Sequence, residues 1–255
     1  MHSSVAMMQP YLFPYLGYFQ LINAVDVFVL GDDLQFIKSG WVNRNTVLFN
    51  QQARLISFPV KRDSFELAIN QRTLSTTFSD EADRLVNLIR VSYAKAPCFD
   101  LAMPVVEALI RHPERNLALY IEHSIRQLCT YLRIDTPIFR ASALKLGVPL
   151  DKQDRVIQIA RRFAASTYVN PIGGLALYDH EYFASRGVAL KFFRMHALDY
   201  PQFQAPFVAN LSIIDVLMFN TVDDIQALLP RYSLHGAGPL QDKPLAARMG
   251  DGAFM

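Results

Sequence analysis

Two short apolar runs on either side of one helical pattern place the strongest constraint on how this chain can fold. The first, VAMM, ends just before Pro10, and the second, VFVL, is closed by Gly31 and two aspartates. Between them, YLGYFQLINAV predicts a helix that begins after Pro14. Strands that are apolar on both faces are typical of parallel sheets covered by helices on both sides. The opening therefore predicts a βαβ unit.

The rest of the chain predicts more strands and a long helical stretch. WVNRNTVLF and ARLISFPV predict a hairpin around NQQ. From Ser79, an expected N-cap, apolar residues recur at three-to-four spacing. The predicted helices are SDEADRLVNLIRVSYA, DLAMPVVEALI, NLALYIEHSIRQLCTYL, DKQDRVIQIARRFAA, LYDHEYFAS, SIIDVLMFN and TVDDIQALLP. TPIFRASAL is a strand or an extended link, STYVN and VALKFFRM are strands, and PIGG is a turn.

These elements predict an α/β fold: an N-terminal sheet region containing the βαβ unit, followed by a mainly helical half that returns to the sheet. At 255 residues the chain fits one domain. We expect that domain over residues 1–235, with a helical insertion at about 79–165 and a flexible C-terminal tail at 236–255.

Composition excludes several classes of protein. The formal charge of +2 is too small to predict a nucleic-acid partner. No apolar run of about 18 residues predicts a membrane span, and no basic region followed by an apolar run predicts secretion. Cys98 and Cys129 have neither metal spacing nor a disulfide framework. We expect a cytoplasmic protein without a metal site; the oligomeric state is left open.

The loop between the first strand and the first helix is the first candidate for a binding site. Ligands of open α/β sheets bind at the carboxyl ends of strands. Gln9 offers a donor and an acceptor there, Tyr11, Tyr15 and Tyr18 offer faces and hydroxyls, and Gly17 allows close approach. The alternative is an aromatic corner of the core. A pocket is favoured because so many tyrosines without charge are unusual in pure packing.

Asp32 and Asp33, directly after the second apolar strand, are candidate catalytic residues. They could bind a metal, hold an amine or hydroxyl, or act as a base. Equally, they could only cap the following turn.

The segment around the single tryptophan holds polar side chains where a strand is expected. Asn43 and Asn45 would share one face, with Arg44 opposite. Such residues are costly to bury without partners. Arg44 is therefore the first choice for clamping a carboxylate or phosphate, with Trp41 available for stacking, although a structural salt bridge is the alternative.

The third candidate stretch is YVNPIGGLALYDH. Asn170 ends a strand, and Gly173 and Gly174 lie where exposed backbone N–H groups could bind an anion. A plain turn explains the glycines as well. Tyr178 and His180 follow in the first turn of the next helix, and His180 could act as a base near neutral pH.

Ser212 and Asp215 fit an S-x-x-D capping box better than a catalytic pair. The chain has no G-x-S-x-G, Walker A, HExxH or G-x-G-x-x-G motif, which argues against hydrolase, P-loop and dinucleotide-binding classes.

Taken in order, MQPYLFPYLGYFQLI, VDVFVLGDDLQF, WVNRN, YVNPIGGLALYD and LSIIDVLMFN resemble the WbqC-like proteins, from about Met8 to Tyr232. The resemblance implies a role among bacterial genes for surface polysaccharides and O-antigens, part of the lipopolysaccharide. The implied activity is a transferase that N-acylates a nucleotide-linked amino sugar with glycine or another amino acid. It carries over motif positions without assigned roles, namely Gln9, Pro10, Tyr11, Pro14, Tyr15, Gly17, Tyr18, Asp32, Asp33, Trp41, Asn43, Arg44, Asn45, Tyr168, Asn170, Gly173, Gly174, Tyr178 and Asp215.

The hypothesis from sequence is thus a transferase with a small-molecule substrate, a nucleotide-linked sugar or an amino acid, and with ATP or an acyl donor as candidate cofactor. Its catalytic candidates are Asp32, Asp33 and His180. Two alternatives remain: a non-catalytic module that binds nucleotide-sugars or scaffolds other enzymes, and an ATP-dependent amino-acid-activating enzyme.

Overall fold

The predicted βαβ unit is present at the start of the chain. The structure, a computed structural model, describes residues 3–147, 151–204 and 206–236. Strand β1 (Ser4–Met8), helix α1 (Leu16–Asn23) and strand β2 (Val27–Leu30) follow in order. The two strands are parallel, in register from Val5 opposite Val27 to Met8 opposite Leu30. The prediction from the two apolar runs is confirmed.

A six-stranded, mainly parallel sheet forms the centre of the α/β fold, as predicted. Its spatial order is β5-β2-β1-β6-β7-β8. Strand β8 is the exception, because it runs antiparallel to β7. No strand was predicted there. The remaining bounds are β5 Ile138–Arg140, β6 Thr167–Pro171, β7 Ala189–Met195 and β8 Tyr232–His235.

The predicted hairpin is also confirmed, as a separate two-stranded sheet. Strands β3 (Arg44–Phe49) and β4 (Gln52–Ser57) pair antiparallel. The two turn residues, Asn50 and Gln51, have φ of 48° and 62°. Two consecutive positive φ values define the type I′ turn, whose twist matches that of the flanking strands.

The described part of the chain contains seven more helices, together with three 3₁₀ segments. The helices are α2 Phe78–Tyr93, α3 Phe99–Ile110, α4 Leu117–Tyr131, α5 Lys152–Arg162, α6 His180–Ala184, α7 Ile213–Phe219 and α8 Val222–Leu228. The 3₁₀ segments are Ile69–Gln71, Ala141–Leu144 and Ile172–Leu177.

Helix starts were the weakest part of the prediction. The N-cap of α2 is Thr77 and not Ser79, so that helix begins earlier than its acidic first turn suggested. Helix α6 begins at His180, because Asp179 is the N-cap and accepts hydrogen bonds from the backbone N–H groups of Glu181 and Tyr182. Tyr178 and Asp179 therefore precede the helix and do not lie in its first turn.

The sheet is covered on both faces. Val5 and Met7 of β1 pack in one buried cluster with residues of α5 and α6, among them Val156 and Phe183. Alternate residues of the same strand lie in a larger cluster with α1, α2, α3, α4, α7 and α8. Side chains that alternate between two buried faces explain why the strands are apolar throughout.

The stretch 79–165, expected to be a helical insertion, contains α2 to α5 and also β5, which pairs with β2. Of the predicted tail, residues 237–255 lie outside the described residues.

The order of strands creates a switch point between β1 and β6. From β1 the chain builds β2 and then β5 on one side, and afterwards β6 and β7 on the other. Crevices that hold ligands in open α/β sheets occur at such points, outside the carboxyl ends of the strands.

Candidate functional site

The carboxyl edge of the sheet brings together residues from three of the predicted stretches. Gln9 directly follows β1, Asp32 and Asp33 follow β2, and Asn170 lies at the end of β6. Because β1 pairs in parallel with both β2 and β6, their carboxyl ends lie at one edge. We call this edge, with the loops that leave it, the carboxyl edge.

The ladder between β1 and β6 stops before either strand does. It consists of Ser4 opposite Thr167 and Val5 opposite Tyr168. By contrast, β1 and β2 stay paired to Met8, and β6 and β7 to Pro171. The ladder between the two central strands is therefore shorter than the ladders on either side of it, and it ends before the carboxyl edge, at the switch point. A crevice between them is where a parallel sheet offers a ligand most room.

The opening loop is held in place by residues far along the chain. Phe13 has a φ of 41°, a backbone conformation that needs support from outside the loop. Asn45 Nδ2 donates to the carbonyl oxygens of Leu12 (2.9 Å) and Phe13 (2.8 Å), and Ser212 Oγ donates to the Phe13 oxygen at 2.7 Å. The amide of Asn45 thus orients the loop. In the same way Asn43 Nδ2 donates to the oxygen of Phe58 at 2.8 Å.

The tyrosines of this loop differ in accessibility. Tyr18 is fully buried, and its hydroxyl donates to the Gln9 carbonyl at 3.0 Å. Tyr11 is 8% exposed, with its ring centroid 5.8 Å from that of Tyr18. Tyr15 is partly exposed, and burial of its hydroxyl raises its pKa to about 12. Tyr18 is therefore a core residue, and Tyr15 is the tyrosine of this loop with exposed surface that a ligand could contact.

Two of the predicted glycines are required by close contacts. A Cβ on Gly17 would lie 2.4 Å from the Tyr15 ring and 2.9 Å from the sulfur of Met195. A Cβ on Gly174 would lie 2.1 Å from Asn170 Nδ2. Both glycines let a candidate side chain lie flat against the backbone, whereas Gly173 is exposed.

Asp32 is 1% exposed, and its carboxylate is already occupied. Oδ1 accepts from Ser142 N at 2.9 Å, and Oδ2 accepts from Ser142 Oγ at 2.6 Å and from Asn70 Nδ2 at 3.4 Å. Asp32 therefore ties the loop after β2 to the segment after β5. Asp33 forms an ion pair with Arg155 of α5.

Tyr178 and His180 lie on the β6 side of the edge. Tyr178 packs against Tyr168 with ring centroids 5.8 Å apart, and burial raises the pKa of Tyr178. His180 is partly buried, and its ring lies edge-on to Phe192 at 5.5 Å. Phe192 is opposite Asn170 in the β6–β7 ladder, so His180 lies close to the carboxyl end of β6.

Arg44 and Arg72 each have an enclosed Nε without an acceptor, as does Arg155, whose terminal nitrogen is paired with Asp33. Arg44 is partly buried, with its guanidinium 5.4 Å from the centroid of Trp41. Arg72 is 5% exposed and lies 4.8 Å from the centroid of Phe36. Within the described residues neither Arg44 nor Arg72 forms an ion pair, and the Nε of each is buried without a hydrogen-bond partner.

The Nε of Arg72 is sealed from water without an acceptor, and leaving a donor in this state is energetically costly. A desolvated cation over an aromatic ring gains about 2 kcal/mol. Removing a charge from water costs several kcal/mol, which only a counter-charge in good geometry offsets. Sequence reasoning missed Arg72, since its surroundings, INQRTLST, carry no motif.

Asp215 does not complete the predicted capping box. Ser212 is the N-cap of α7 and accepts from Ile214 N. The Asp215 carboxylate instead accepts from Tyr93 (2.9 Å), Tyr200 (2.7 Å) and Gln202 (2.9 Å). Burial raises its pKa against the effect of these three donors.

Other chemistries find less support. In the part of the chain that the structure describes, no group of three or more His, Cys, Asp and Glu side chains could hold a metal, and no helix could cross a membrane. Both cysteines are free and buried, and burial raises the pKa of the Cys98 thiol, which disfavours the thiolate.

A hollow lies between the segment after β5 and helix α5. It is open, measures about 720 Å³, and is lined by residues 143–147 after β5 together with α5 residues that include Arg161 and Arg162.

The fold is that of an α/β protein with a helix-covered, mainly parallel sheet, and several candidate residues lie at the carboxyl edge beside its topological switch point. Residues 9–227 match the WbqC-like protein family, and the chain belongs to that family. It is similar to the uncharacterized protein Rv1507c of Mycobacterium tuberculosis, with 28% identity over 219 residues, covering 85% of this chain and 93% of that protein. No solved structure matches it.

Proposed function

We propose that this protein is a cytoplasmic transferase of bacterial surface-polysaccharide (O-antigen) biosynthesis. It N-acylates a nucleotide-linked amino sugar with glycine or another amino acid. The observation that carries the proposal is the meeting of the loops after β1, β2 and β6 where the β1–β6 ladder ends. Membership of the WbqC-like family supplies the biosynthetic context.

We assign roles to those side chains that have unpaired hydrogen-bond donors or ring surface available to a ligand. Arg44 binds an anionic group of the substrate, and Trp41 and Tyr15 offer ring faces to a base or sugar. The backbone at Gly173, in the loop after β6, is exposed and could donate to an anionic group of the substrate.

Among the three catalytic candidates, His180 fits the role of base best. Asp32 is enclosed and already accepts three hydrogen bonds, and Asp33 is paired with Arg155. The imidazole of His180 has no hydrogen-bond partner among the described residues. It takes the proton that the sugar amine loses when its nitrogen attacks the carbonyl carbon of an activated acyl donor, whose leaving group departs with the bonding electrons.

The test begins with binding and ends with product analysis. Thermal shift with nucleotide-linked amino sugars, glycine and ATP identifies ligands, and mass spectrometry then looks for a sugar heavier by one glycyl residue. Binding without turnover would favour the non-catalytic module. Amino-acid-dependent pyrophosphate exchange would favour the ATP-dependent enzyme.

Arg44→Met sharpens the test. We expect it to lower kcat/KM at least about tenfold, because a charge-assisted contact to substrate is lost, and to leave the melting temperature nearly unchanged. Arg54→Met is the matched control: Arg54 lies in the same hairpin, 4.6 Å from the Phe49 ring centroid, and is exposed. If Arg44→Met unfolds the protein, or retains full activity, Arg44 is not the substrate clamp.

A further inference from the structure

We propose that Arg72 is an anion-binding residue of the carboxyl edge, where its guanidinium holds an oxyanion of the substrate, a phosphate or a carboxylate. The inference deepens the proposed function and rests on it for the identity of the substrate. No sequence motif includes Arg72.

The position of Arg72 is fixed beside the loop that leaves β2. Asn70 N donates to the Asp32 oxygen at 2.8 Å, and Ile69 N donates to the Leu34 oxygen at 2.9 Å. The segment that ends in Arg72 thus runs along the first residues after the strand. The carbonyl of Arg72 itself accepts from Leu117 N at 2.9 Å, at the start of α4. Because the backbone is held at both places, the guanidinium needs little reorganisation to bind a ligand.

The charge of Arg72 is not balanced by the acids of that loop. Asp32 is committed to Ser142 and Asn70, and Asp33 to Arg155. Phe36, the ring beneath Arg72, compensates only part of the cost of burial. A buried cation whose neighbouring acids are already used is the arrangement expected when the counter-charge comes from a ligand.

The chemistry of the missing partner follows from the donor. A guanidinium presents a planar fork of N–H groups that matches two oxygens of a phosphate or carboxylate. Arg44 stacks on Trp41, five residues along the same loop from Phe36. Arg44 and Arg72 thus each lie over an aromatic residue of the loop between β2 and β3, and the fork of Arg72 suits an oxyanion such as the diphosphate of a nucleotide-sugar or the carboxylate of an amino acid.

Direct binding measurements test the proposal without requiring turnover. Isothermal titration of the full chain with inorganic pyrophosphate, UDP and glycine is compared for the wild type, Arg72→Met and Arg115→Met. Arg115 is a matched control, because it also lies over an aromatic ring (Phe78, 5.0 Å) but is exposed. We expect wild type and Arg115→Met to bind at least one probe equally, and Arg72→Met to bind it at least about tenfold more weakly. Pyrophosphate or UDP as that probe identifies a phosphate, and glycine a carboxylate.

Other results overturn the proposal. If no probe binds the wild type, or if Arg72→Met binds with wild-type affinity, Arg72 does not hold the anion. Should Arg72→Met fail to fold, Arg72→Lys decides: a loss of about fivefold or more supports the guanidinium fork, and unchanged affinity contradicts it. This experiment measures binding and no product, so it can be interpreted even if the protein does not acylate a sugar. Conversely, a loss of anion binding alone does not disprove acyl transfer.

Discussion

Two buried charged groups in this molecule are treated in opposite ways. Asp215, which is fully buried behind the opening loop, accepts three hydrogen bonds from Tyr93, Tyr200 and Gln202. Arg72, 5% exposed beside the carboxyl edge, has an aromatic ring beneath it and no acceptor among the described residues. The chain supplies every partner for the first charge and leaves the second without a counter-charge.

This difference separates a structural charge from a binding one. Tyr93 also accepts a hydrogen bond from Leu48 N of β3 at 2.8 Å, so the Asp215 network joins α2, α7 and the hairpin. Its cost of burial is offset within the protein. At Arg72 the cost remains until something from outside offsets it, and this is why we assign the anion to that position.

The largest effect on stability is expected for Asp215→Ala. It leaves two tyrosine hydroxyls and the Gln202 amide without their acceptor, and we expect a loss of about 3 kcal/mol in the free energy of unfolding. Urea denaturation followed by circular dichroism measures it. Asp223→Ala is the control, since Asp223 is paired with Arg133 on the surface and its side chain is 82% exposed. If both substitutions lowered the free energy of unfolding equally, the Asp215 network would not have the structural role that we assign to it.

A smaller effect is expected for Asp32→Ala. The carboxylate joins the loop after β2 to the segment after β5, and its loss leaves Ser142 N without an acceptor. We expect about 1–2 kcal/mol of destabilisation, measured in the same way. Asp33→Ala, which breaks one partly exposed ion pair, should cost less. Lost turnover with an unchanged free energy of unfolding would instead make Asp32 the catalytic base.

Sequence predicted those features that depend on neighbouring residues. The apolar runs of β1 and β2 and the hairpin β3–β4 are local patterns, and all are present. Strand β8 was missed because YSLH has no alternation of its own and pairs with β7 as an antiparallel edge strand. An edge strand exposes part of its surface and so carries a weaker signal than a buried parallel strand.

The site was predictable only in part, because the partners of its side chains are distant along the chain. The bond between Asp32 and Ser142 spans 110 residues, and that between Tyr93 and Asp215 spans 122. Asn45 was chosen for its polarity in a strand, but what it holds is the opening loop. No sequence pattern includes Arg72, and it stands out only because it is buried without a hydrogen-bond acceptor among the described residues.

A crystal structure with a UDP-linked amino sugar tests the central claim most directly. The account predicts that the ligand lies at the carboxyl edge between the loops after β1 and β6, with an oxyanion against the guanidinium of Arg72. A ligand held instead in the hollow beside Arg161 and Arg162, with the space between the loops after β1 and β6 empty and Arg72 still without a counter-charge, would contradict it.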